Sequence, residues 1–122
     1  MHDTVTKGTH SELLAITALL ANGWDVAEPV APRRFDLVAL PPGGKRWVQI
    51  QVKTARQRKD RNGEIVVYAK KNNGEPYTLD EAEYIIGIYE NKVYIFPNRG
   101  IGEYWVRPEL IDKVWTHLPI NL

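Results

Sequence analysis

At 122 residues, with 43% hydrophobic and 25% charged side chains and a net charge of +1, the chain has the length of one domain and enough apolar residues for a core, which sets intrinsic disorder aside. No apolar run approaches the ~20 residues of a membrane-crossing helix, and the first residues lack the basic-then-apolar layout of a secretory leader; the expectation is one domain over 1–122, in the cytoplasm, with no membrane partner. There is no cysteine for a disulfide or thiolate zinc site, and His2, His10 and His117 lack paired ligand spacing, so any metal has to be held by oxygen.

Thr9 to Ala21 carries Leu13, Ile16, Thr17 and Leu20 at helical spacing, and Asn22-Gly23 supplies a left-handed stop, which together predict an amphipathic helix. Thr9-His10-Ser11-Glu12 also matches a capping box, so Glu12 has a capping reading, and His10 and Ser11 read as surface or capping residues. Trp24 to Ala27 reads as a strand, Pro29 to Arg34 as a loop, and Phe35 to Leu40 as a second strand. Within that strand Asp36 sits in an apolar run, where a lone carboxylate has to find a partner or neutralise. Pro41-Pro42-Gly43-Gly44 turns the chain into a third strand, Lys45 to about Thr54, which should pair antiparallel with the second.

The third strand holds the most informative stretch, Trp47 to Lys53. Val48, Ile50 and Val52 share one face and Trp47, Gln49, Gln51 and Lys53 the other, because strand side chains alternate. Pairing with the second strand brings Asp36 near Gln51 and Lys53, with opposed Cβ atoms roughly 5 Å apart. An acid, an amide and an ammonium on one face can hold a metal and a phosphate; Gln49, one step further in, reads as a supporting partner. From Lys45 to Lys71 nine basic residues stand against two acidic ones, a local +7 in a chain whose remainder is net acidic. Such a patch suits a polyanion or is a solvated hairpin.

Asp60-Arg61-Asn62-Gly63 marks a turn, Glu64 to Ala69 a fourth strand, and Lys71 to Glu75 a polar loop. Thr78-Leu79-Asp80-Glu81 is a second capping box, predicting a short helical turn before a fifth strand, Tyr84 to Tyr89. Glu90-Asn91-Lys92 makes a tight hairpin into Val93 to Phe96, stopped by Pro97. Arg107-Pro108-Glu109 opens a C-terminal helix through about Thr116.

Lys7-Gly8, Glu12, Asp36 and Gln51-Val52-Lys53, in this order on a helix followed by a strand hairpin, resemble the PD-(D/E)XK nuclease superfamily over roughly Lys7 to Pro97. The short N-terminal part is similar to archaeal-type Holliday junction resolvases, and the Gln-Val-Lys variant to a branch that includes small homing endonucleases. The resemblance implies an α/β fold in which a mixed central sheet is flanked by helices, with a restriction-endonuclease-like αβββαβ core. It implies a magnesium-dependent phosphodiesterase, with manganese as a substitute ion. Asp36 would be the main ligand, Gln51 would offer its side-chain carbonyl and Val52 its backbone carbonyl, Lys53 would sit beside the attacking water or scissile phosphate, and Glu12 would bind a water or second metal. Gln51 departs from the family, which usually has a carboxylate there and so binds the metal with one more charge.

Arg56, Arg58, Lys59 and Arg61, directly after Lys53, would grip DNA phosphates from a loop, with Lys7, Arg33 and Arg34 flanking the same mouth. The leading expectation is a junction-selective endonuclease acting on branched DNA as a homodimer. The alternatives are a sequence-specific homing or restriction-type enzyme on duplex DNA, and a DNA-binding module without catalysis. Tyr94, Phe96, Ile101, Tyr104, Trp105 and Trp115 are candidates for the dimer interface or for ordinary core.

Overall fold

The structure, a computed structural model, describes residues 4–120, with side chains from Gly8 onward. Helix α1 runs Thr4–Ala21 and is closed by a Schellman motif: Gly23, at φ +84°, donates to the Leu20 carbonyl and Trp24 to that of Leu19. Then follow β1 (Asp25–Ala27), β2 (Leu37–Leu40) and β3 (Val48–Thr54). Pro41 to Gly44 form the predicted turn, with Gly44 N–H on the Pro41 carbonyl at 2.8 Å and Gly43 at φ +71°, as a type II turn demands.

After β3 come β4 (Arg56–Arg58), a 3-10 turn over Lys59–Arg61, β5 (Glu64–Tyr68), β6 (Tyr84–Tyr89), β7 (Lys92–Pro97) and β8 (Glu103–Val106). A 3-10 turn (Pro108–Leu110) leads into α2 (Ile111–Val114) and β9 (Thr116–His117). The β6–β7 link is a two-residue hairpin with Glu90 and Asn91 both at positive φ, which matches the strand twist.

The strands form a six-stranded sheet, β1-β2-β3-β6-β7-β9, and a three-stranded sheet, β4-β5-β8. In the large sheet only β3 and β6 pair in parallel, so the fold is the expected α/β type around a mixed sheet. One face packs Val48, Ile50, Val52, Ile86 and Ile88 against Ala15, Ala18 and Leu19 of α1. The other sets Ile85, Tyr94 and Phe96 against Ile65, Val67, Tyr104 and Val106 of the small sheet. At Gly87 the layers approach closely: a Cβ there would lie 2.9 Å from Val67 Cγ2.

Several local expectations change. Helix α1 begins five residues before Thr9, so Thr9 to Glu12 lie inside it and the capping reading of Glu12 falls. The buried stripe is Ser11, Ala15, Ala18 and Leu19, whereas Leu13 and Leu20 are 57% and 56% exposed. Small alanines let the helix sit close to the sheet, which outweighs the larger transfer free energy of leucine on the other face. Thr78 to Glu81 do make the expected short helical turn, with Ala82 N–H on the Thr78 carbonyl at 3.0 Å and half of the capping box present, Thr78 N–H donating to Glu81 Oε1 at 3.0 Å. The presumed loop after Lys53 is strand β4, and the C-terminal helix stops at Val114 to give β9. Of the six interface candidates, Tyr94, Phe96, Tyr104 and Trp115 are core, and Ile101 and Trp105 are exposed. Among the described residues no helix is long and apolar enough to cross a membrane.

Candidate active site

The β2–β3 register ends at Leu37 opposite Ile50, and Asp36, expected within the second strand, sits just before β2 with its side chain reaching Gln51. Asp36 N–H donates to the Ile50 carbonyl at 2.9 Å, so the backbone holds the acid at the open end of β2. Asp36 Oδ2 accepts two bonds, from Gln51 Nε2 and from Val52 N–H, each at 2.9 Å. The amide is oriented by charge, since its oxygen would repel the carboxylate. Both bonds fall on one oxygen, which leaves Oδ1 with lone pairs to offer a cation. In an extended strand a residue's N–H and C=O point to the same side, so the Val52 carbonyl also lies on the Asp36 side of β3.

Glu12 reaches the site from α1. Buried Ser11 fixes the helix rotation through a 2.7 Å hydrogen bond between its Oγ and Thr54 Oγ1. Glu12 and Asp36 line one cavity of about 310 Å³ with Glu28, Arg33 and Phe35. Burial, then the charge of Asp36 and a hydrogen bond shared with it, then the charge of Glu28, push the Glu12 carboxyl up to about 7. Lys53, on the same face of β3 as Gln51, places its Nζ 5.3 Å from the centroid of the Tyr77 ring.

The basic candidates fall into groups. Arg56 and Lys59 are exposed and carry no ion pair among the described residues, and the Arg56 guanidinium lies 5.5 Å from the Tyr68 ring. Arg58 is held by Asp60 and the Tyr68 hydroxyl, and Arg61 by Glu64 at 3.0 Å and by Glu103. Exposed Arg33 rims the Asp36 cavity. Arg34 lies 3.8 Å from Glu81, which also takes Lys71 Nζ at 2.9 Å. Lys7 is in the backbone of α1, and its side chain lies outside the described residues. Gln49 turns to a different cavity of about 610 Å³, with Arg46, Leu79 and Glu83, and does not support Asp36.

A family model for PD-(D/E)XK endonucleases matches residues 2–108. The chain belongs to the PD-(D/E)XK endonuclease family. Its fold is similar to the solved structure of a bacterial homing endonuclease, I-Ssp6803I, at 24% identity and a TM-score of 0.67, over 88% of this chain and 77% of that one. None of the curated proteins compared with the chain matches it. In this PD-(D/E)XK chain the sequence-derived residues Glu12, Asp36, Gln51 and Val52 meet around the Asp36 carboxylate, and Lys53 lies next along β3 with its ammonium on the Tyr77 ring. Sequence reasoning missed Ser11, whose partner Thr54 is 43 positions away, and Tyr77, which an aromatic in a polar loop could have signalled.

Proposed function

We propose that this PD-(D/E)XK nuclease is a magnesium-dependent DNA endonuclease whose centre is Asp36, Glu12, Gln51, Val52 and Lys53. The observation that carries the reading is that two carboxylates, Glu12 and Asp36, line one cavity and neither makes an ion pair among the described residues. The pair relieves its repulsion by keeping a proton on Glu12 near neutrality, and a hard divalent ion fits the same oxygen donors. Asp36 and Glu12, with the Gln51 amide oxygen and the Val52 carbonyl, would hold magnesium or, in its place, manganese. When bound, such an ion polarises the phosphate and lowers the pKa of water. Asp36 is fixed by its two hydrogen bonds, so it meets the ion without reorganising. Lys53 offsets charge that builds on the phosphate oxygens. Arg56, Lys59 and Arg33 contact the DNA backbone, with Lys7 and Arg34 as further phosphate contacts, whereas Arg58 and Arg61 are taken up by their own ion pairs.

The likeness to a homing endonuclease favours cutting within duplex DNA over four-way junctions, and a homodimer would supply one centre per strand. The test is incubation with magnesium and three substrates: a labelled four-way junction, the matched linear duplex, and a randomised duplex library whose cut ends are sequenced. Discrete library sites support the duplex reading, and paired nicks in the junction alone replace it with the resolvase reading. Binding without cleavage replaces both with a DNA-binding module. Asp36→Asn and Lys53→Ala are expected to abolish cleavage while keeping the fold by circular dichroism; full activity in either overturns the assignment.

A further inference from the structure

Lys53 shares β3 with Gln51, which touches Asp36, yet among the described residues its ammonium makes no ion pair with that acid or any other. Its contact is the face of Tyr77, at 5.3 Å from the ring centroid. We infer that Tyr77 is a positioning residue, a ring that holds the Lys53 ammonium off Asp36 and presents it to the reacting phosphate. The inference rests on the endonuclease reading of Lys53.

The chemistry of the contact suits the task. A ring face attracts an ammonium without accepting its protons in directed hydrogen bonds, so the N–H groups remain available to phosphate oxygens. A Lys53–Asp36 ion pair would instead take up the lone pairs a divalent ion needs. An aromatic face is therefore a holder that competes for neither partner.

Tyr77 is itself held rigidly, though it sits in a segment without regular structure. The residue is 7% exposed and packs in the core between the two sheets. Buried Asn98, just past β7, donates through Nδ2 to the Tyr77 carbonyl at 3.0 Å and to the Ala82 carbonyl at 2.8 Å. Asn98 Oδ1 accepts from the Tyr104 hydroxyl and from Gly100 N–H, both at 2.9 Å. On the other side a Lys70–Pro76 bridge pins the approach to Tyr77. The ring's position is thus set by three parts of the chain remote from the carboxylates.

The experiment compares wild type with Tyr77→Phe and Tyr77→Leu. In the metal-free proteins, NMR reads the ring-current shift of the Lys53 ε-methylene. With magnesium and cleavable DNA, kcat and KM are measured, and melting temperature controls for folding. Tyr77→Phe keeps the ring, so the upfield shift persists and kcat stays within about twofold of wild type. Tyr77→Leu loses the shift and lowers kcat about tenfold with KM little changed, the size expected for one partly desolvated cation–π contact. A Lys53 ε-methylene that is not shifted upfield in the wild type overturns the proposal, as does a Tyr77→Phe protein as slow as Tyr77→Leu. A wild type that cuts DNA with Tyr77→Leu equally fast overturns this proposal alone. A wild type that cuts nothing overturns the endonuclease reading and this proposal with it.

Discussion

Gln51 donates a hydrogen bond to Asp36 from the position where the family resemblance calls for a carboxylate. The exchange removes one negative charge from a site that already struggles to hold two. Gln51→Glu is accordingly expected to tighten magnesium binding on the order of tenfold by adding a charged ligand. The same change destabilises the metal-free protein by ~1–3 kcal/mol, because Asp36 loses a donor and gains a repelling neighbour; calorimetric titration and thermal melts read the two effects. Glu12 gives a pH prediction. An acid whose folded-state pKa lies above its unfolded value takes up a proton on folding, so its contribution favours the fold at low pH. With Glu12 moved from 4.5 to about 7, that contribution is complete below 4.5 and is lost as pH rises through about 7. The metal-free protein should melt at lower temperature at pH 8 than at pH 5, and Glu12→Gln should shrink the difference. Magnesium should bind more weakly below pH 7, since the ion has to displace the Glu12 proton.

At the scale of elements, β4 changes what the basic segment does. Arg58 and Arg61 are paired with Asp60, Glu64 and Glu103, so on the proposed function the charge left for DNA phosphates in this segment is that of Arg56 and Lys59. Replacing Arg56 and Lys59 by alanine should lower the salt dependence of duplex binding by about 0.9 for each lost phosphate contact. Replacing Arg58 and Arg61 should instead lower stability and leave the salt slope nearly unchanged; the reverse pattern would show that the ion pairs open on DNA. At Gly87 an added methyl meets the stiff side chain of Val67, so Gly87→Ala should cost ~1–3 kcal/mol in denaturant unfolding. The sequence announced elements where local signals agree. The β2–β3 hairpin has prolines and glycines at its turn and alternation on both sides, which made the Asp36–Gln51 contact predictable. Strand β4 is Arg-Gln-Arg, with no apolar residue to reveal its period, and β9 is too short to carry a pattern. The buried face of α1 is built on Ser11 and two alanines, which any hydrophobicity scale ranks below Leu13 and Leu20.

For the whole molecule, the sandwich of a helix, a mixed sheet and a small sheet gathers the candidate site from four separate stretches. Glu12 comes from α1, Asp36 from the edge of β2, Gln51 to Lys53 from β3, and Tyr77 from the long passage between β5 and β6. The contacts of the hairpin were readable because they are close in sequence, whereas those of Ser11 and Tyr77 require the two layers to be in place. A symmetric double-strand cut calls for two copies, and sedimentation equilibrium should give twice the monomer mass; a monomer that still cuts both strands would remove the need for a dimer.

The parallel pairing of β3 with β6 has a consequence for how the protein matures. Antiparallel neighbours can zip from a turn, whereas β3 and β6 are joined by a long crossover through β4, β5 and the Tyr77 passage, whose closure costs more chain entropy. A chain still folding can hold Asp36 against Gln51 while Lys53 swings free of its ring. Under the proposed function, cutting power therefore depends on that closure as well as on the hairpin.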